Sequence, residues 1–328
     1  MRTRPAVLFA LAVSAFAINT VIPANAEVYP SRPITMVVPF PAGGPLDTVG
    51  RILAEHMRQS LAQTVTIENL SGAGGTIGVG RVARATPDGY TLVAGIAGTH
   101  VVNGAIYTLP YDVVKDFEPI ALTARESLII VAKKAMPAKD LKELIAWLKV
   151  NQSNATQATA GVGTPPHIAG VLFQNAINTQ LQFVPYRGGA PAMQDLMAGQ
   201  VDIEVDSPIS SLPQIRAGTI KAYAVAAKRR LAAAPEIPTV DEAGLPGFYY
   251  SNWIALFAPR GLSKDVATKL NAAVVAALAD PTVRQRLADL GLEIPPREEQ
   301  TPEALAAVQK ADIEKWWPLI RASGIKAE

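Results

Sequence analysis

The chain contains no cysteine. It therefore forms no disulfide, offers no thiolate nucleophile, and carries no lipid attached through a cysteine. Its three histidines, at positions 56, 100 and 167, show no HxH or HExxH spacing, so no zinc-type site is legible. There is no GxSxG elbow for a serine nucleophile. No apolar run reaches the roughly 20 residues of a comfortable membrane span. Basic residues are scattered, the densest run being Lys228-Arg229-Arg230, which gives no support to a phosphate-binding nucleic-acid surface.

The N-terminus has the grammar of an export signal. Arg2 and Arg4 precede the uncharged apolar run Ala6–Ile18, and Ala24-Asn25-Ala26 is a small-x-small cleavage pattern, so the mature chain is expected to begin at Glu27. Residues 1–26 hold two arginines and no acid. Their removal leaves 28 basic against 28 acidic residues, and the formal charge of +2 belongs to the signal. The expectation is a near-neutral protein of the bacterial periplasm, not inserted in the membrane once the signal is cleaved. The remaining 302 residues are enough for two domains.

Short apolar strand candidates alternate with longer helical patterns, which predicts an α/β fold with mostly parallel sheets. Strands are expected at Ile34–Val38, Thr64–Glu68, Thr91–Ala94, Leu128–Ala132, Gln157–Ala160, Gln182–Pro185, Ile203–Val205, Ala222–Ala226 and Trp253–Ala258. Helices are expected at Val49–Leu61, Ile77–Ala83, Asp140–Lys149, Pro166–Asn175, Pro191–Ala198, Lys264–Ala279, Thr282–Gly291 and Glu303–Ser323. Two chain crossings between lobes, near Leu122–Ser127 and Tyr249–Trp253, fit this order. They divide the chain into a signal (1–26), a first lobe (27–124 plus 250–328) and a second lobe (125–249).

Four segments place glycine or small polar residues just after a strand, where open α/β sheets bind ligands. In Phe40–Asp47, Gly44 can cap a helix whose first residue is Pro45, and the free amides of such a start form an anion site. Asp47 there reads first as a structural first-turn carboxylate. The stretch NLSGAGGTIG (Asn69–Gly78) is not a dinucleotide fingerprint, because Ile77 stands where the third glycine is needed and no acid follows at the required distance. Its glycines permit close approach to the cleft or to a neighbouring helix. In Gly95–Asn103, the small polar donors are Thr99, His100 and Asn103, with His100 read more as a packing residue. In Ala160–Ala169, Gly163 and Thr164 lead into a helix with His167 in its first turn, where the cationic imidazole is disfavoured. Asp202, Glu204 and Asp206 alternate along one strand face. Such a run usually borders solvent, and Asp206 at its end can reach a cleft.

Taken in order, YPSRPITMVVPFPAGGPLD, VTIENLSGAGGTIG, ARATPDGYTL, LPYDVVKDFEPIAL, VPYRGGAPAMQDLMAGQVD, IPTVDEAGLPGF and WIALFAPRGL resemble the Bug/TctC family of extracytoplasmic solute receptors. The resemblance implies a type II periplasmic-binding fold, two α/β lobes around a central ligand cleft. It implies a receptor, not an enzyme, that needs no cofactor or metal, captures a small carboxylate and delivers it to membrane transporter subunits. It places ligand contacts at Phe40, Ala42, Gly43, Gly44 and Asp47, at Thr99, Asn103, Gly163, Thr164 and His167, and at Asp206 of the second lobe. One departure is Gly50, which precedes Arg51 where the family often has alanine, a change expected to affect packing. A sensory receptor feeding a membrane kinase shares the fold and remains an alternative reading, as does an exported hydrolase.

Overall fold

The structure is a computed structural model that describes residues 28–323. The expected export signal lies outside the described residues. The first sheet takes β1 (Ile34–Val38), β2 (Val65–Asn69), β3 (Thr91–Ile96), β4 (Phe117–Ser127) and β10 (Ser251–Pro259), in the order β2-β1-β3-β10-β4. The second takes β5 (Ile129–Lys133), β6 (Thr156–Thr159), β7 (Gln182–Pro185), β8 (Ile203–Asp206) and β9 (Ile220–Val225), in the order β7-β6-β8-β5-β9. The chain passes to the second sheet at Leu128 and returns between Val225 and Ser251. This is the two-lobe periplasmic-binding architecture with two crossings.

The expected mostly parallel sheets are in fact mixed. β1 pairs in parallel with β2 and β3, and β6 with β7 and β8. The strands next to the crossings, β10, β4 and β5, pair antiparallel. The cause is the crossing itself, since a strand that leaves one sheet for the other cannot return through a same-side βαβ crossover. Strand β4 is absent from the sequence reading, and the segment expected as the first crossing is paired sheet as far as Ser127.

Both sheets are sandwiched between helices, so the central strands β1, β3, β5 and β10 are largely buried on both faces and carry near-continuous apolar runs. The edge strands β2 and β7 are mostly half-buried or exposed. In the first lobe, α1 (Pro45–Leu61) and α8 (Lys264–Ala279) pack through Val49, Ile52, Leu270 and Val274 on Ile34, Met36, Ile254 and Leu256. Gly50 lies against β1, where a Cβ would stand 3.2 Å from Val38 Cγ2. On the opposite face α2 (Thr76–Ala83) and α10 (Pro302–Ser323) cover Val37, Val93, Trp253 and Phe257. In the second lobe, α4 (Leu141–Val150) and α5 (Pro165–Ala176) cover one face, and α6 (Gly189–Met197) and α7 (Pro208–Arg216) the other. Short α3 (Asn103–Ile106) and α9 (Pro281–Asp289) complete the described helices.

A π-helical turn, Gly98–Val102, runs from β3 into α3 and was not anticipated. It is held by α10: Gln309 Nε2 donates to the carbonyls of His100 and Val113 at 2.8 Å, and Trp317 Nε1 donates to Val101 O at 2.9 Å. His100 is fully buried, stacked 4.0 Å from the Phe257 ring, and burial lowers its pKa to about 3. It is therefore a neutral core residue.

The lobes touch on one side of the cleft through backbone. Tyr107 donates to Val162 O at 3.1 Å, and a Cβ on Gly98 would stand 2.9 Å from Gly163 O. Gly98 has no positive φ, so the closeness of the second lobe is what demands glycine there. Held closed, Gly98→Ala would cost about 1–3 kcal/mol of overpacking, which parting of the lobes relieves. Small-angle scattering of this variant is expected to give a larger radius of gyration than the parent, with an unchanged circular dichroism spectrum. Equal radii would show that the loop absorbs the methyl group.

Candidate functional site

Four helices begin at one cavity between the lobes. Gly44, Pro45 and Leu46 bring the start of α1, Thr164 and Pro165 that of α5, Gly189 that of α6, and Asp206 and Ser207 that of α7. The cavity encloses about 560 Å³ of empty space, part of it open at the mouth. Each helix start carries roughly half a positive charge, and its first-turn amides lack intrahelical partners. Among the described residues, no Lys or Arg lines this cavity. Phe40, Pro41, Ile96, Leu128, Pro166 and Ile254 supply apolar walls.

The four starts are not equivalent. Prolines at 165 and 166 have no N–H, and His167 N donates back to Thr164 O, so α5 contributes dipole but no free amide. In α7, Pro208 has no N–H, and Ile209 N donates to Ser207 Oγ. Only α1, through Leu46 and Asp47, and α6, through Gly189 and Ala190, can present first-turn amides. These two starts face each other: a Cβ on Gly188 would lie 2.7 Å from Pro41 Cδ, and one on Gly189 would lie 3.3 Å from Pro45 Cδ.

The floor lies at the crossing and is acidic. Glu126 Oε2 accepts from Ser207 Oγ at 2.5 Å, and Oε1 accepts from Asn252 Nδ2 at 2.8 Å. The β4–β10 register sets Glu126 opposite Asn252. Asp206 accepts from Ser211 Oγ at 2.6 Å. Burial raises both carboxyls, Asp206 to about 6, with the charge of Glu126 adding to the upward shift at Asp206.

The expected site residues divide into groups. Phe40, Gly44, Thr164 and Asp206 line the cavity. Ala42 and Gly43 are exposed beyond its lining; Gly43 N donates to Asp47 Oδ2 at 2.9 Å. The Asp47 side chain also accepts from Arg51 at 2.9 Å and from Asn69 at 2.9 Å, a cap that ties α1 to β2. Burial acts to raise this carboxyl, but those hydrogen bonds and the Arg51 charge hold it below the usual range. Thr99 is turned inward, bonded to Ile96 and His100. Asn103 donates to Gly74 O at 2.9 Å, beside the lobe contact at Gly163. His167 lies behind the wall, its Nδ1 accepting from Gly163 N at 3.3 Å, and burial lowers its pKa to about 4. The ring is thus neutral, with its proton on Nε2.

A shallower compartment, sharing Phe40 and Ala160 with the first, is lined by Gly72–Gly75, Tyr107, Gly161, Val162 and Tyr186, with exposed Arg187 at its edge. The glycine loop does reach the cleft: a Cβ on Gly74 would lie 2.6 Å from Val162 O. Sequence reasoning missed Glu126, Asn252, Ser207 and Gly189. For Gly189 a signal existed, since Gly188-Gly189-Ala190-Pro191 follows a strand with nearly the same grammar as Gly43-Gly44-Pro45.

A two-lobe chain with helix starts aimed into a closed cleft is a solute-binding protein in its architecture. The family model "Tripartite tricarboxylate transporter family receptor" (TctC) matches residues 49–325, and the chain belongs to this Bug/TctC family. It is 39% identical over 308 residues to a UPF0065 protein from the TAR-I ttuE-ttuC' intergenic region of Agrobacterium vitis, covering 93% of this chain and 89% of that protein. Among solved structures, periplasmic binding protein BugD is 41% identical with a TM-score of 0.87, covering 92% of this chain and 100% of that one. MatC from Rhodopseudomonas palustris, solved with bound malate, is also 41% identical, with a TM-score of 0.86 over 89% of this chain and 100% of that one.

The acidic run expected to border solvent is buried. Glu204 is fully enclosed, and neither of its carboxylate oxygens has a hydrogen-bond partner. Burial, then the nearby charge of Asp206, raises its pKa well above 4.5. A raised folded-state value means that stability is fully present below the unfolded pKa and is lost as pH rises toward the folded one. Glu204→Gln removes this titration. The stability of the variant minus that of the parent should therefore grow above pH 4.5 by about 1.4 kcal/mol per pH unit, until Glu204 ionises. The buried histidines, which act in the opposite sense, are common to both proteins. Urea unfolding at pH 5 and pH 7 measures the difference, and a pH-independent gap would overturn this assignment.

Proposed function

We propose that this chain is a periplasmic receptor, exported through a cleaved signal, that closes on a small carboxylate and delivers it to a tripartite tricarboxylate-type membrane transporter. The observation that carries the reading is the convergence of four helix starts on one cavity without a lining Lys or Arg among the described residues. Such a site attracts an anion by dipole and amide, with no fixed cation to neutralise it. The malate held by MatC, at 41% identity, supports the carboxylate class.

The energetics are consistent with capture. Charge-assisted hydrogen bonds contribute about 1.5–3 kcal/mol each. Four amides, two from α1 and two from α6, would supply a gross ~6–12 kcal/mol, against ~8 kcal/mol for a micromolar complex. Loss of association entropy reduces the gross figure, so neither lobe binds tightly alone. The ligand then favours the closed form because only that form has both sets of amides. In this reading residues 27–124 with 250–328 form one lobe and 125–249 the other. Phe40 and Gly44 join Leu46 and Asp47 at the first wall; Ala42 and Gly43 shape its rim. Thr164, backed by His167, forms the second wall and Asp206 joins the floor, and together they discriminate the rest of the solute, with Thr99, Asn103 and Gly163 setting the lobe contact.

A thermal-shift screen of residues 27–328 tests this, using citrate, C4–C6 dicarboxylates, acidic amino acids, nicotinate and aromatic diacids against their neutral amides. At 100 times its dissociation constant a ligand stabilises by about 2.7 kcal/mol, a shift of several degrees. At least one acid should shift the melting temperature while its amide does not. Equal shifts with acid and amide would remove the anion-site reading.

A further inference from the structure

Resting on the carboxylate-receptor reading, we infer that Asn252 is a proton-set specificity residue at the cleft floor. With Glu126 protonated, the Asn252 amide turns over and presents its N–H groups to the solute's carboxylate, so that capture takes up a proton. The two side chains are cross-strand partners, Glu126 on β4 opposite Asn252 on β10, and both line the cavity. Asn252 is 1% exposed and Glu126 5%. Asn252 Nδ2 donates to Glu126 Oε1 at 2.8 Å, while Asn252 Oδ1 has no hydrogen-bond partner.

That arrangement suits an ionised Glu126 and opposes an anion. A carboxylate only accepts, so it takes the Asn252 N–H and leaves the amide oxygen unpaired. The solute's carboxylate would then meet a free acceptor beside a like charge in a poorly hydrated site. A proton on Glu126 Oε1 reverses both. The carboxyl O–H donates to Asn252 Oδ1, which satisfies the orphaned oxygen. The terminal torsion of an asparagine is roughly two-fold, so half a turn exchanges its oxygen and nitrogen in nearly the same space. Nδ2 then stands where Oδ1 stood, with donors free for an anion. Ser207 Oγ donates to Glu126 Oε2 in either state, so the acid stays anchored while its other oxygen changes role.

The surroundings favour the protonated state. Burial raises the Glu126 carboxyl, and the hydrogen bonds from Ser207 and Asn252 oppose this only in part. Of the residues lining the cavity, Asp206 is the other that titrates. It lies on β8, with Glu204 two residues away on the same strand face, and burial raises both. On β10, Tyr250 is fully buried and kept neutral by that burial. Arg125, next to Glu126 in sequence, is paired with Glu299 at 2.7 Å. An arriving anion favours the proton further, because the same proton removes a repulsion and releases a donor.

Calorimetry on the exported protein, freed of resident solute by unfolding and refolding, tests this with malate. Where malate is silent, the acid with the largest thermal shift takes its place. Titrations run from about pH 6, where the acid's own carboxyls are already ionised, to about pH 9. Buffers of different ionisation enthalpy convert the heats into protons taken up. Uptake should approach one proton. The dissociation constant should rise by up to about tenfold per pH unit above the pKa of Glu126 in the free receptor, and level off below it. Glu126→Gln should take up no proton, and Asp206→Asn should still do so. Asn252→Leu keeps the size and removes the amide. It should bind about ten- to hundredfold more weakly at the acid end of the range and lose the uptake. Asn252→Ala serves where Asn252→Leu does not fold. Uptake that survives removal of the amide would reduce the effect to charge repulsion and overturn the inference. Uptake kept in Glu126→Gln but lost in Asp206→Asn would overturn it too. An acid bound without proton uptake across the range would overturn it and leave the carboxylate reading standing. Silence with every acid of the thermal-shift screen would overturn both.

Discussion

A cavity between two lobes with no lysine or arginine in its lining, among the described residues, has backbone dipoles as its source of positive charge, and that constraint organises this molecule. Backbone charge is available only where a helix begins, so each helix that serves the site must start at the cleft. The βα turns after β1, β6, β7 and β8 all meet this condition, and they come from both lobes. On the proposed reading, binding and closure are one event. The amides of α1 belong to one lobe and those of α6 to the other, and they can share a ligand only when the lobes are together.

The second organising feature is the floor at the crossing. β4 ends and β5 begins within two residues, with Leu128 between them. The hydrogen bond from Ser207 to Glu126 then links the two sheets at their crossing. Burial raises Glu126 and Asp206. Helix starts around the cavity favour their charged forms in turn. The cleft therefore carries opposed electrostatics, positive at the walls and acidic at the base.

Much of the scaffold was legible. The Ile34–Val38 strand, the Gly44 cap, Pro45 and the Leu61 terminus of α1 follow from apolar period and cap chemistry, and the structure places them there. Strand β4 was hidden because its eleven residues mix buried and half-buried positions across two register shifts, so neither alternation nor an unbroken apolar run marks its length. Helix α7 was hidden by its two prolines and short polar stretch, which read as loop. The site was only partly readable. Asp47 is near the cleft in sequence and yet turned away from it, because Arg51 and Asn69 offer better partners.

The sequence by itself determined the alternating α/β pattern, the family and the glycine-proline turns that start helices after strands, because each depends on neighbours a few residues apart. Only the tertiary structure decided which starts share a cavity and which of them keep free amides. It alone brought Glu126 against Asn252 and Ser207, partners 126 and 81 residues away. No local rule sees such pairs. Their proximity arises where two strands of the first sheet and one of the second end at a common crossing, and it is there that burial gives a carboxylate its chemistry.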